Sequence, residues 1–159
     1  MAGAPSEAIF KIALLFVLLA GPIGYLIALF TGPRNEVLPR SRYFFFLALV
    51  VAGVKFLHPG VDVIRQTAID QSWWPPLLWS GAISAAAGYA FGILSLLRSL
   101  DFSGRRWVAL IGLVPIAGGL ILLFVPPRRR SREKTALPVA LGWIAAGIAT
   151  IVVVAAIRT

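Results

Sequence analysis

With 59% apolar and only 13% charged residues across 159 positions, the chain lies outside the composition of water-soluble domains, which need more polar surface to stay dispersed. Its length accommodates one compact bundle and leaves no room for a second domain. The absence of cysteine removes disulfides, thiolate metal sites and cysteine nucleophiles, and the net charge of +9, carried by 12 Arg and 3 Lys, marks cytoplasmic ends facing anionic lipid rather than a nucleic-acid surface.

The first apolar run, residues 9–30, is long enough at about 1.5 Å per residue to span a hydrocarbon core of about 30 Å. Lys11 near its start can snorkel, and Gly21-Pro22 should kink it. A cleaved signal peptide is not expected, because residues 18–21 (Leu-Leu-Ala-Gly) make a poor small-x-small site and the apolar run continues past them. A loop over 31–42 carries Arg34, Arg40 and Arg42 against Glu36. The second run, 43–57, opens with Tyr43, Phe44, Phe45 and Phe46, which suit an interfacial belt, and His58-Pro59-Gly60 should end it.

Residues 61–71 read as a short helix lying on the membrane surface, followed by Trp73 and Trp74 as headgroup anchors. The third run, 77–97, carries Ser84, Gly88 and Gly92 every four residues, a track that lets two backbones approach closely; packing inside the same bundle is favoured over dimerisation. The turn 98–106 holds Arg98, Asp101, Arg105 and Arg106. Asp101 lies within ion-pairing reach of Arg98 and Arg105 along a helix, and Ser103 is placed to cap the helix that follows. Residues 107–125 form a fourth apolar segment, opening with Trp107 and interrupted by Pro115, Gly118 and Gly119. A strongly basic loop follows, with Arg128, Arg129, Arg130, Arg132 and Lys134. The last run is 139–157, where Gly142, Ala146 and Thr150 form another small-residue track.

The expected fold is therefore an all-α polytopic membrane helix bundle, with four transmembrane helices plus one kinked or re-entrant segment. Charge bias places the loop at 58–76 outside and those at 31–42 and 98–106 inside, so the amino terminus lies outside. A full crossing by 107–125 then puts the most basic loop of all outside, against the rule. A re-entrant segment would remove that conflict, but its backbone needs shielding from lipid. A full, kinked crossing is favoured here, because 19 apolar residues match the bilayer thickness.

The inventory for chemistry is thin. His58 is the only histidine and Met1 the only methionine, so neither a bis-histidine haem nor a three-ligand zinc site can be assembled within one chain. No cofactor, metal site or catalytic residue is expected. Lys55, His58 and Asp62 fall at helical spacing, but Pro59-Gly60 breaks any helix joining them. The five cations from Arg128 to Lys134 can attract anionic lipid or an acidic partner at roughly 1 kcal/mol each. Arg105 and Arg106 sit at a helix amino end, where the dipole disfavours cations; a lipid phosphate bound there would reconcile them.

At the central turn the sequence resembles the YhaH-like bacterial inner-membrane proteins, a family of unknown function. Arg98, Asp101, Trp107, Pro115 and Gly118 fall on its motif without a gap, and Pro39-Arg40-Ser41-Arg42-Tyr43 is similar to its basic-aromatic lead. Leu100 stands where the family has histidine, and Ser103-Gly104-Arg105-Arg106 replaces its Gly-Arg-Ser-Gly order. The resemblance covers about 39–127 and implies a bacterial inner membrane, with no established activity attached. The function expected is that of a small membrane protein without catalytic chemistry, serving as a packing, scaffolding or accessory subunit beside other membrane proteins. The alternative is a small oligomeric transporter or channel built around the broken fourth segment.

Overall fold

The computed structural model describes residues 7–34, 36–57, 74–114, 117–126 and 137–156. It is an all-α bundle of α1 (Glu7–Thr31), α2 (Arg40–Leu57), α3 (Trp74–Ser103), a 3-10 helix (Arg106–Leu113), α4 (Ala117–Phe124) and α5 (Leu137–Ala156). Two stretches, Leu14–Thr31 and Pro75–Ser103, are long and apolar enough to cross a membrane. A shorter apolar stretch, Pro138–Val153, lies in α5. The surface helix expected over 61–71, His58, Trp73, Pro115 and the basic run Arg128–Lys134 lie outside the described residues.

Local sequence sets the helix ends. α1 continues through Pro22 and stops where Gly32 donates its N–H to Ala28 O at 2.8 Å and Pro33 cannot extend the ladder. Pro75 and Pro76 sit in the first turn of α3, where a missing N–H costs nothing. At its other end α3 runs past the expected residue 97 to Ser103. Gly104 then adopts φ 69°, the left-handed conformation that glycine supplies at a helix C-terminus.

α1 and α3 run parallel, with their backbones nearly touching. A Cβ added at Gly24 would stand 2.1 Å from Ala85 O, and one at Gly88 2.0 Å from Gly21 O. Gly92 similarly faces the backbone of Tyr25 and the side chain of Ala28. Both Gly88 and Gly92 thus pack inside the chain's own bundle, and the carbonyl of Ser84 lies against Gly21. α2 runs antiparallel to α3, and at its far end Trp79 Nε1 donates to Leu57 O at 3.0 Å.

α5 lies along α2, with Trp143 against Phe45 (ring centroids 5.0 Å apart) and Phe46. The small residue admitting this contact is Gly147, which faces Phe44 and the backbone of Phe45. Gly142 faces open space, so the track written through Gly142 is displaced onto Gly147. The expected aromatic belt is displaced as well. Tyr43 is fully buried, and Phe45 and Phe46 join helices together.

The fourth apolar segment does not run through the bundle, which corrects the full crossing favoured above. The chain goes in as the 3-10 helix, reverses after Leu113 and comes back as α4. Gly118 lies so close to the first arm that a Cβ would meet Ile111 O at 2.0 Å and Gly112 Cα at 2.8 Å. Along α3, Gly112 lies beside Ser95 and Gly119 beside Phe91, while Leu122 and Val125 return to Arg98. At about 1.5 Å per residue, the eight residues of α4 reach about 12 Å, less than half a bilayer core. The fold-back has a local cause: Gly118 lets the second arm lie against the backbone of Ile111 and Gly112, while Gly112 and Gly119 let the two arms pack against Tyr25 and Ser95 and against Phe91. The core sits beside the hairpin, built from Leu38, Tyr43, Leu94 and Leu122 with Phe46, Leu97 and Phe102 around them.

Candidate functional site

The feature that the hairpin creates is a cluster of arginines on helix C-termini. A helix leaves its last four carbonyls without intrahelical partners, and these carry the negative end of the macrodipole. Arg98, fully buried on α3, donates Nε to Leu122 O at 2.9 Å and Nη2 to Val125 O. Its Nη1 donates to Asp101 Oδ2, closing an ion pair that is also buried. Arg40, at the start of α2, adds a second guanidinium, with Nε 3.2 Å from Val125 O.

Arg106 does the same service for α1. Its Nη2 donates to Leu29 O at 2.8 Å and Gly32 O at 3.1 Å. The conflict of Arg106 with its own helix amino end is therefore met by protein carbonyls, because the side chain reaches back to a neighbouring C-terminus. Arg105 is exposed. Ser103 does not cap the following helix: the N-cap position is Arg105, with no side-chain cap. The Ser103 hydroxyl instead donates to Ser99 O at 2.6 Å and accepts the Arg105 N–H at 3.0 Å, bracing the turn from the α3 side. Trp107 is exposed on the outer face.

Every arginine among the described residues (Arg34, Arg40, Arg42, Arg98, Arg105 and Arg106) lies at one end of the bundle, where α1 and α3 end and α2 begins. The chain arrives there from α1, leaves along α2, returns along α3 and comes back once more through α4. Chemically the arrangement is a clamp. A guanidinium is not deprotonated in proteins, and the three nitrogens of Arg98 are each engaged. Among the described residues no group of three or more His, Cys, Asp or Glu side chains could hold a metal ion.

A second feature lies at the hairpin tip. A cavity of about 440 Å³ opens between α2, α3 and α4, lined by Leu47, Val50, Val51, Phe91, Gly119 and Leu120 among others. Its walls are apolar, so it suits hydrocarbon rather than an ion or a polar solute.

Sequence reasoning missed Arg40, Tyr25, Tyr43, Ser95 and Gly112. Tyr25 donates its hydroxyl to Ala109 O, joining α1 to the first arm of the hairpin. The signal available was a tyrosine and a serine set inside otherwise apolar helices, where a polar group needs a partner. No family model, curated protein or solved structure matches the chain.

Proposed function

We propose that the chain is a multi-pass protein of a bacterial inner membrane, in which α1, α2, α3 and α5 cross and the hairpin is re-entrant. The amino terminus lies outside. Without catalytic chemistry, it acts as a packing, scaffolding or accessory subunit of a larger membrane assembly. The observation that carries this reading is the folded-back hairpin, because it resolves the charge distribution. With the second arm returning to the side the first one left, the ends of α1, α3 and α4 share one face, and the basic sequence joining α4 to α5 would add to it, as the positive-inside rule requires. Large apolar side chains such as Ile12, Leu18, Phe30, Phe124 and Val152 cover the flanks, where lipid tails or neighbouring helices would meet them.

The basic end faces anionic headgroups in this reading. Arg105 and the run Arg128–Lys134 supply the contact, while Arg98 and Arg106 hold the protein together. The resemblance to YhaH-like proteins at Arg98, Asp101, Trp107, Pro115 and Gly118 supports the inner-membrane assignment.

The test is the size of the particle extracted from native membranes into lipid nanodiscs. A reproducible complex with other membrane proteins of fixed stoichiometry is expected. A solitary 17.1 kDa chain across a range of mild extractions contradicts the accessory role. A second reading, a small oligomeric transporter or channel, draws on the apolar cavity at the hairpin tip. Solute flux in reconstituted vesicles that changes when Gly119 is enlarged would favour it.

A further inference from the structure

An apolar cavity and an exposed arginine share one stripe of α2. The cavity, about 440 Å³, is walled by Leu47 and Val51 on α2, Gly88 and Phe91 on α3, and Gly119 and Leu120 on α4. It opens at the flank, where Val51 and Leu120 are half-exposed. Arg40 begins α2 and is itself exposed. At about 100° per residue, Leu47 and Val51 both stand within about 20° of the line of Arg40 along the helix. At about 1.5 Å per residue they lie roughly 10–17 Å deeper, against about 15 Å of hydrocarbon in one leaflet. Arg40 also sits over the seam between α2 and α4, because its Nε donates across it to Val125 O at 3.2 Å. The same guanidinium carries two further nitrogens that can donate. Charge at this end is one-sided. Asp101 is committed to Arg98, and Glu36 stands against exposed Arg34, Arg40, Arg42 and Arg105.

An apolar cavity of this kind excludes water and takes up apolar ligands. A partner helix about 10 Å across fills roughly 420 Å³ per turn, so the cavity has room for one turn and none for the rest of a spanning helix. A hydrocarbon chain is narrow enough to enter from the flank. We propose that the seam between α2 and α4 binds one anionic phospholipid, with its phosphate at Arg40 and one acyl chain running down the Arg40–Leu47–Val51 stripe into the cavity at the hairpin tip. Arg40 then bridges the headgroup and Val125 O, and the chain fills the space that the short second arm leaves between α2 and α3. The site rests on the membrane placement proposed above, with the basic end among anionic headgroups, and is separate from the accessory role.

Native mass spectrometry of the intact chain, released from micelles doped with phosphatidylglycerol or with zwitterionic phosphatidylcholine, tests it. One long-chain phosphatidylglycerol should stay bound per protein, and phosphatidylcholine should bind more weakly. Arg40→Gln should weaken phosphatidylglycerol about fivefold, the factor equivalent to the roughly 1 kcal/mol that a basic residue contributes beside an anionic surface. Val51→Trp fills the cavity from a half-exposed position and leaves Arg40 in place. It should weaken the long-chain lipid at least as much, yet leave unchanged the binding of an analogue with chains half as long, which reach only about half of a ~15 Å leaflet. Ile148→Trp on α5, equally exposed, should change neither. Equal binding of phosphatidylcholine, or full binding by Arg40→Gln, would make the cavity a nonspecific apolar gap and overturn the proposal. Full binding by Val51→Trp would reduce the site to a headgroup contact and overturn it too. Dimers that Val51→Trp abolishes, with no lipid retained, would give the face to a second copy instead. Co-extracted subunits are read separately, so a lost lipid site leaves the accessory role standing, and a solitary chain leaves the lipid site standing.

Discussion

Replacing Arg98 with alanine is expected to lower the stability of the bundle by about 3–5 kcal/mol, the scale on which removal of one partner from a buried ion pair is felt. The loss has two sources. Asp101, only 3% exposed, would be left charged without its guanidinium. The carbonyl of Leu122 would lose its Arg98 donor, and that of Val125 would be left with Arg40 Nε alone. Arg98→Lys should recover only part of the loss, because an ammonium has no planar fork to span a carboxylate and two carbonyls together. The double variant Arg98→Met with Asp101→Leu should fall much closer to the parent, since it removes both buried charges at once. Reversible unfolding in mixed micelles measures all three. An Arg98→Ala protein as stable as the parent would show that the clamp does not hold the hairpin down.

The second large effect is expected at Gly88. Alanine there sets a methyl carbon 2.0 Å from Gly21 O, with the Gly21 carbonyl carbon and Cα both within 2.9 Å. All three are backbone atoms, so no side chain can swing away and α1 must move off α3. Overpacking of this kind costs about 1–3 kcal/mol, and Gly88→Val should cost more. Position supplies the control. A Cβ at Gly21 meets only Ser84 O at 3.5 Å, an ordinary contact, and one at Gly142 meets nothing within 4 Å. Gly21→Ala and Gly142→Ala should therefore be tolerated, and Gly142→Ala should add about 0.5–1 kcal/mol of stability through its helix propensity. Equal sensitivity at Gly88 and Gly142 in the same unfolding experiment would remove the close approach of α1 and α3 as a source of stability.

Much of the bundle was legible because apolar runs and their terminators are local signals. The runs 9–30 and 77–97 place the end of α1 and the start of α3 within a few residues of where they occur. The Gly88 and Gly92 track pointed to close packing because small residues have that consequence wherever a helix meets another. The Arg98–Asp101 pair was legible from its spacing of three.

What Arg98 does was not legible. Its carbonyl partners lie 24 and 27 residues away, and nothing in residues 98–101 says that the chain will come back. The direction of residues 107–125 was misread on a length argument. Nineteen apolar residues match a bilayer as one helix, and match half a bilayer as two arms. Gly118 admits the second form, but it faces Ile111 and Gly112 only once the chain has folded back. Arg106 was misjudged similarly, because its own helix dipole is a local effect and the carbonyls of Leu29 and Gly32 that hold it are supplied by another helix.

The reversal of residues 106–126 is the claim on which the topology and the shared basic face rest, and side-specific labelling in intact cells tests it directly. Single cysteines at Pro126, Ser131 and Thr135 can be compared with one at Arg34 as an inner reference and one at Ala156 as an outer reference, the chain having no native cysteine to interfere. The account predicts that an impermeant thiol reagent labels position 156 from outside, while 34, 126, 131 and 135 react only after the membrane is opened. Labelling of 126, 131 and 135 from outside in cells whose position 34 stays protected would mean that the segment crosses, contradicting the hairpin in the membrane.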